Sequence, residues 1–231
     1  IGSVMCESEA VRKLSFTGST AVGKILMVQC ADTMKKVSLE MGGHEPFIVF
    51  DDADIDAAVM GAVACKYRNA GQTCVCANRI YVQKGIYDEF AAKFTKAVEK
   101  LKVGEGDQDG VDIGPLISHD GVEKVEQHIS DATNHGAFIM TGGKAHKLGG
   151  TFFEPTILRD VTVKMKIASE ETFGPVAPLF SLKDEADVIK QANDTNYGLA
   201  SYFYARDVGR IWRVAEALEF GMVAVNTPIL S

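Results

Sequence analysis

The fold class this sequence predicts is α/β, with a largely parallel sheet and flanking helices. Short runs rich in β-branched and aromatic residues alternate along the chain with amphipathic stretches of helical period. No internal repeat or low-complexity tract breaks that alternation. With 231 residues and 46% hydrophobic content, the chain can bury one large domain, or one domain plus part of another.

The elements follow in order. Residues 14–17 read as a short strand, and 21–31 as the helix after it. Residues 37–39 read as a second strand, ending at Glu40-Met41-Gly42-Gly43. The apolar run 47–50 suits a buried strand. Asp51-Asp52-Ala53-Asp54 then supplies caps for a helix running to about residue 68, with Ile55, Val59 and Ala62 on one face. Gly71 breaks that helix, so Cys74 is expected on the loop or turn just beyond it. Residues 79–83 are strand-like, and 87–101 hold Phe90, Phe94, Ala97 and Leu101 in helical register. Further helices are expected at 121–134, 184–193 and 208–218. Further strands are expected at 138–141, 156–158, 177–182, 200–204 and 222–226.

Charge and cysteine usage narrow the function classes. A net charge of −7 argues against nucleic-acid or anionic-membrane partners, which favour basic surfaces. No apolar run reaches the roughly 18 residues that a membrane-spanning helix needs. The five cysteines, Cys6, Cys30, Cys65, Cys74 and Cys76, are odd in number and scattered. Such usage fits a reducing compartment, cytoplasmic or, for a eukaryotic source, mitochondrial. Ile1 is not an initiator, so the chain is expected to be a piece of a longer protein.

Two segments carry chemistry. Gly71-Gln72-Thr73-Cys74-Val75-Cys76 offers a thiol beside a turn-forming glycine; 34 residues upstream, Glu40 leads into a glycine pair. Covalent oxidation of an aldehyde needs both groups, a thiolate to attack the carbonyl carbon and a base to take protons. By type alone, Cys74 would read as a small buried apolar residue and Glu40 as a solvated strand end. Gly18-Ser19-Thr20-Ala21-Val22-Gly23 lies between a strand and a helix, where a helix N-terminus can receive a phosphate. Its glycines are five apart, which is not the dinucleotide fingerprint, so the pattern alone favours a capped turn. No second cysteine pair or histidine cluster accompanies Cys74 and Cys76, so no metal site is expected.

These segments, together with Phe16 to Gly23, Glu170-Glu171-Thr172-Phe173-Gly174-Pro175 and Asn196-Tyr197-Gly198-Leu199, resemble the aldehyde dehydrogenase superfamily over essentially the whole chain. Tyr67 to Arg79 and Ala200 to Tyr204 are most similar to its succinate-semialdehyde branch. The resemblance implies a Rossmann-like coenzyme domain ending over 1–43 and a catalytic domain over 44–231, incomplete at its C-terminus. It implies Cys74 as nucleophile and Glu40 as general base. For NAD or NADP it implies Gly18, Ser19, Gly23, Met41 and Gly42, with Glu171 on the nicotinamide ribose and Phe173 behind the ring. It implies Arg68, six residues before Cys74, and Ser231 as holders of a substrate's distal carboxylate.

The expected activity is oxidation of succinate semialdehyde to succinate, in a homo-oligomer when the protein is whole. Glutarate semialdehyde or a broader aldehyde set is the alternative within the class. An inactive binding or structural relative is the alternative outside it, against which the intact Glu40, Cys74, Glu171 and Phe173 argue. The family's oxyanion-stabilising asparagine has no counterpart among these residues, so the fragment by itself is expected to be inactive. Cys74 and Cys76 could close an oxidation-sensitive disulfide, or Cys76 could be a packed free thiol; both readings stand. His44 departs from the asparagine or lysine usual after the glycine pair.

Overall fold

The computed structural model describes residues 1–228. Ser231 lies outside them. The chain divides into two compact units, Ile1–Gly42 and Gly43–Ser231.

The first unit runs α1 (Gly2–Glu7), β1 (Lys13–Thr17), α2 (Thr20–Ala31) and β2 (Lys36–Glu40). β1 and β2 pair in parallel, with Phe16 opposite Leu39 and Thr17 opposite Glu40. Cys6, Leu14, Leu26 and Cys30 form its small core, with Phe16 and Val37 packed against them. The six-residue α1 has no side-chain cap, and nothing in its composition announces it.

The second unit is built on β3 (Glu45–Val49), α3 (Ile55–Tyr67), β4 (Ala77–Gln83), α4 (Tyr87–Val98), α5 (His119–Asn134), β5 (Phe138–Thr141) and β6 (Thr156–Arg159). It continues through β7 (Val176–Leu182), α6 (Glu185–Asn193), β8 (Ala200–Tyr204), α7 (Val208–Ala217) and β9 (Met222–Val225). Among the described residues, seven strands form one sheet in the order β5-β6-β7-β4-β3-β8-β9. Every pair is parallel except β5 with β6. The sheet is therefore largely parallel, as expected. The central strands β3 and β8 are buried at every position, as strands covered on both faces must be.

Local chemistry explains the element ends. Asp54 caps α3, its Oδ1 accepting from the Ala57 N–H at 3.1 Å. Asp52, expected to share that work, instead accepts the backbone N–H groups of Arg206 and Asp207 at 2.8 and 2.6 Å. α4 stops at Val98, three residues short of the expected end, because the chain turns away to bridge Val103 with Ile113.

Candidate active site

α3 ends at Tyr67, and the chain then makes a single tight turn over Arg68–Gly71. Asn69, Ala70 and Gly71 all take positive φ, of 51°, 55° and 74°. Glycine is required at the last of these: a side chain there would also strike the Gly174 carbonyl oxygen. That close approach seats the segment carrying Glu171 and Phe173 beside the turn. Asn69 and Gln72 exchange side-chain to backbone hydrogen bonds at 3.0 and 3.2 Å, and the Gln72 Oε1 accepts from the Ile117 N–H at 2.9 Å.

Cys74 sits at the crest of the next turn, closed by the Cys76 N–H donating to the Thr73 carbonyl at 3.1 Å. The Tyr202 hydroxyl donates to the Val75 carbonyl at 2.7 Å and ties the turn to the sheet. Cys74 is half-buried, whereas Cys6, Cys30, Cys65 and Cys76 are buried; all five are free thiols. Arg68 is exposed and lines a small cleft with Cys65, Thr73, Tyr202 and Pro228. Cys74 is not on that wall, although Thr73 and Val75 on either side of it are.

Cys76 packs beneath the turn. Its sulfur accepts from the Lys66 Nζ at 3.4 Å, and Lys66 has no solvent exposure. Burial pushes the Cys76 thiol up, partly offset by the Lys66 ammonium. Burial and the neighbouring Cys76 push Cys65 up to about 12.

The loop before β7 carries Glu171 and Phe173. Glu171 Oε1 accepts from the Gly43 N–H at 3.0 Å, and burial raises its carboxyl despite that bond. His128 braces the loop, with Nδ1 3.0 Å from the Thr172 hydroxyl and Nε2 3.3 Å from Glu170. Phe173 is 39% exposed with φ 52°, an unusual conformation for a bulky residue.

Glu45 and Lys66, which the sequence reading passed over, and His44, noted there only as a departure from the usual residue, are polar groups of this region with no solvent exposure. His44 immediately precedes β3 and Glu45 opens it. The His44 Nδ1 and both Glu45 carboxyl oxygens lack a hydrogen-bond partner among the described residues. Burial, then the Arg79 charge, pulls His44 down to about 3. Burial, with the Glu171 charge adding to it, pushes Glu45 up to about 8. Arg79 spends its guanidinium on the carbonyls of His44, Gln191 and Ala192, each at 2.9 Å. One signal was available for Lys66: it falls four residues after Ala62, on the buried face of α3.

In the first unit, Ser19 caps α2, its Oγ accepting from the Val22 N–H at 3.4 Å. The Gly18 N–H donates to the Glu40 carbonyl at 3.0 Å, so the turn before α2 and the end of β2 are joined. Gly23 is buried, and a Cβ there would strike the Met41 sulfur. Glu40 is exposed; Met41 and Gly42 are half-buried. Gly18, Ser19, Gly23, Glu40, Met41 and Gly42 thus belong to the first unit, and Arg68, Cys74, Cys76, Glu171 and Phe173 to the second. Among the described residues no cluster of histidine, cysteine, aspartate or glutamate could hold a metal ion, and no helix is long and apolar enough to cross a membrane.

Comparison with known proteins places this geometry. The aldehyde dehydrogenase family model matches residues 1–231. The NADP+-dependent succinate-semialdehyde dehydrogenase GabD of Escherichia coli is 63% identical over 100% of this chain and 48% of that protein. A glutarate-semialdehyde dehydrogenase of Pseudomonas aeruginosa is 60% identical over 100% of the chain and 48% of that protein. Among solved structures, an NADP-dependent enzyme of E. coli superimposes with a TM-score of 0.98 at 63% identity, covering 100% of this chain and 48% of the other. A succinate-semialdehyde dehydrogenase of Burkholderia pseudomallei gives 0.98 at 60% identity, with 100% and 48% covered. The chain spans about half the length of the curated relatives it matches. It belongs to the aldehyde dehydrogenase family.

Proposed function

We propose that this chain is part of an NAD(P)-dependent dehydrogenase that oxidises succinate semialdehyde to succinate. The observation that carries the reading is the α3 exit: Cys74 stands half-buried on a pinned turn, and Arg68 lines a cleft walled by the residues flanking it. In this reading residues 1–43 are the end of a coenzyme domain and 44–231 a catalytic one.

Cys74 attacks the aldehyde carbon as a thiolate, and its own backbone N–H is one donor to the oxygen that becomes negative. A bound nicotinamide supplies the acceptor for the departing hydride. Glu40 then takes a proton from the water that attacks the Cys74 thioester, releasing acid and thiol. The residues present fit part of a dinucleotide site. Glu171 is a half-buried carboxylate with acceptor capacity beyond its single bond to Gly43, suited to ribose hydroxyls. Phe173 is held outward as an apolar wall, and α2 has the capped N-terminus that suits a phosphate, with Ser19 there. Gly18, Gly23, Met41 and Gly42, in the first unit with Ser19, would contact the coenzyme as well. Arg68 would pair with the substrate's far carboxylate through two parallel hydrogen bonds, with Ser231 assisting. Oxidation to a Cys74–Cys76 disulfide would remove the nucleophile.

A second reading, glutarate semialdehyde as substrate, is supported by relatives of that name at 60% identity. The test is a kcat/KM comparison in the whole protein, with both coenzymes, across succinate semialdehyde, glutarate semialdehyde and an uncharged aliphatic aldehyde. Arg68→Ala should raise KM for the carboxylated aldehydes by roughly 30- to 100-fold, the worth of a charge-assisted hydrogen bond, and leave the uncharged aldehyde within about twofold. Equal changes for all three aldehydes would remove Arg68 from substrate selection.

A further inference from the structure

Glu45 is a buried acid that the chemistry above leaves unused. It is the first residue of β3, has no solvent exposure, and neither of its carboxyl oxygens has a hydrogen-bond partner among the described residues. Its own backbone N–H and the Asn78 amide lie close enough to favour the carboxylate, but neither makes a hydrogen bond to it, and the Asn78 Nδ2 gives its hydrogens to the Cys76 carbonyl at 3.0 Å and the Gly43 carbonyl at 3.5 Å. What Glu45 does face is the Cys74 main chain. Its Oε1 and the Cys74 carbonyl oxygen both press on the space a Cβ would occupy on Gly43, which only a glycine leaves open. A carboxylate set against a carbonyl oxygen in a buried pocket repels it. A carboxylic acid in the same place has a proton to donate.

We propose that Glu45 is a positioning residue for the Cys74 turn: in its neutral acid form it donates a hydrogen bond to the Cys74 carbonyl oxygen and holds the turn in the shape that presents the Cys74 N–H and thiol. The role rests on the reading of Cys74 as nucleophile. The groups facing Glu45 favour the neutral form. Glu171 adds negative charge from the loop before β7, while Tyr197, Tyr202 and Cys76 bring no positive charge. Arg79 is the cation that opposes them, and its guanidinium is committed to three carbonyls. Lys66 points at the Cys76 sulfur. With the Glu45 carboxyl pushed up to about 8, the acid is the working form at neutral pH and gives way to the carboxylate in mild alkali.

Infrared difference spectroscopy on the whole protein, scanned across pH, tests this directly. The expected result is a protonated-carboxyl C=O band present at pH 7, lost on passing through about pH 8, absent in Glu45→Gln and retained in Glu171→Gln. The kcat profile supplies the second readout. Glu45→Gln, whose amide can donate at any pH, should stay within about twofold of the parent at pH 7 and keep its rate where the parent declines; Glu45→Leu, with no donor, should lose roughly tenfold at every pH. No such band at pH 7 overturns the proposal whatever the variants do, and so does a Glu45→Gln profile that declines in step with the parent. If the protein oxidises no aldehyde, the functional reading fails while the infrared band still decides the state of Glu45.

Discussion

His44 and Glu45 stand side by side at the head of β3, both without solvent exposure and both with incomplete hydrogen bonding. Their effects on stability run in opposite directions with pH. His44 has its folded-state value lowered from 6.5 to about 3, so its contribution is present above pH 6.5 and is lost as pH falls toward 3. Glu45 has its value raised from 4.5 to about 8, so its contribution is complete below pH 4.5 and is lost as pH rises through 8. Between pH 4.5 and 6.5 the two slopes cancel, and above 6.5 Glu45 alone remains. The expected loss between pH 6.5 and 8 is about 2 kcal/mol, at 1.36 kcal/mol per pH unit for one proton. Urea melts of the parent and Glu45→Gln at pH 6 and pH 8.5 check this: because the variant keeps His44, the difference isolates Glu45, and the parent should weaken by about 3 kcal/mol relative to the variant. Parallel curves would mean Glu45 is already ionised in the fold. Neither residue was legible as buried. Each is a polar type at the edge of an apolar run, and only the long-range packing of Arg79, Asn78 and Glu171 around them buries the site.

The turn between α3 and β4 was legible in large part, because its signals are local: an aspartate cap, an apolar face, and a glycine where the helix must stop. Its sequence did not show that Ala70 also adopts a left-handed conformation, φ 55°, while almost wholly buried. An alanine there carries strain of about 1 kcal/mol, which glycine would not. Ala70→Gly is therefore expected to raise stability slightly or leave it unchanged, since the relief is offset by the added freedom of the unfolded chain. Gly71→Ala is the opposite case: φ is 74° and the new methyl meets a backbone carbonyl, so a loss of roughly 3 kcal/mol or more is expected. Thermal melts of the two variants against the parent separate these outcomes, and a Gly71→Ala protein as stable as the parent would show that the turn yields easily. The antiparallel β5–β6 pair was beyond a local reading, because direction is set by which strand lies next to which and not by the residues within either.

In the sheet as a whole, neighbours in space are distant in sequence. β3 lies between β4 and β8, so the middle of the sheet closes only when residues more than 150 positions apart meet. Folds dominated by such pairings assemble slowly. Asp52 secures that closure. Although burial works the other way, the N–H groups of Asp207 and Arg206 and the Arg210 guanidinium hold its carboxyl below the usual carboxylate range. Those bonds tie the end of β3 to the entry of α7, while Arg210 also lies over the Phe50 ring with its guanidinium carbon 4.8 Å from the centroid. Asp52→Ala leaves the Arg206 and Asp207 N–H groups without their acceptor, while Arg210 keeps Asp51 and Glu185, at a cost of roughly 2–3 kcal/mol. Equilibrium unfolding measures it, and a change under about 0.5 kcal/mol would mean water replaces the carboxylate without penalty.

Four of the five sulfurs are sealed in packed interior, and the one on the crest of the turn is not. A chromogenic thiol reagent would therefore release one dye from a folded copy and five from an unfolded one. The ratio of dye to protein, nearest one in a sound preparation, reads out the folded fraction with no substituted cysteines and before any substrate has been identified.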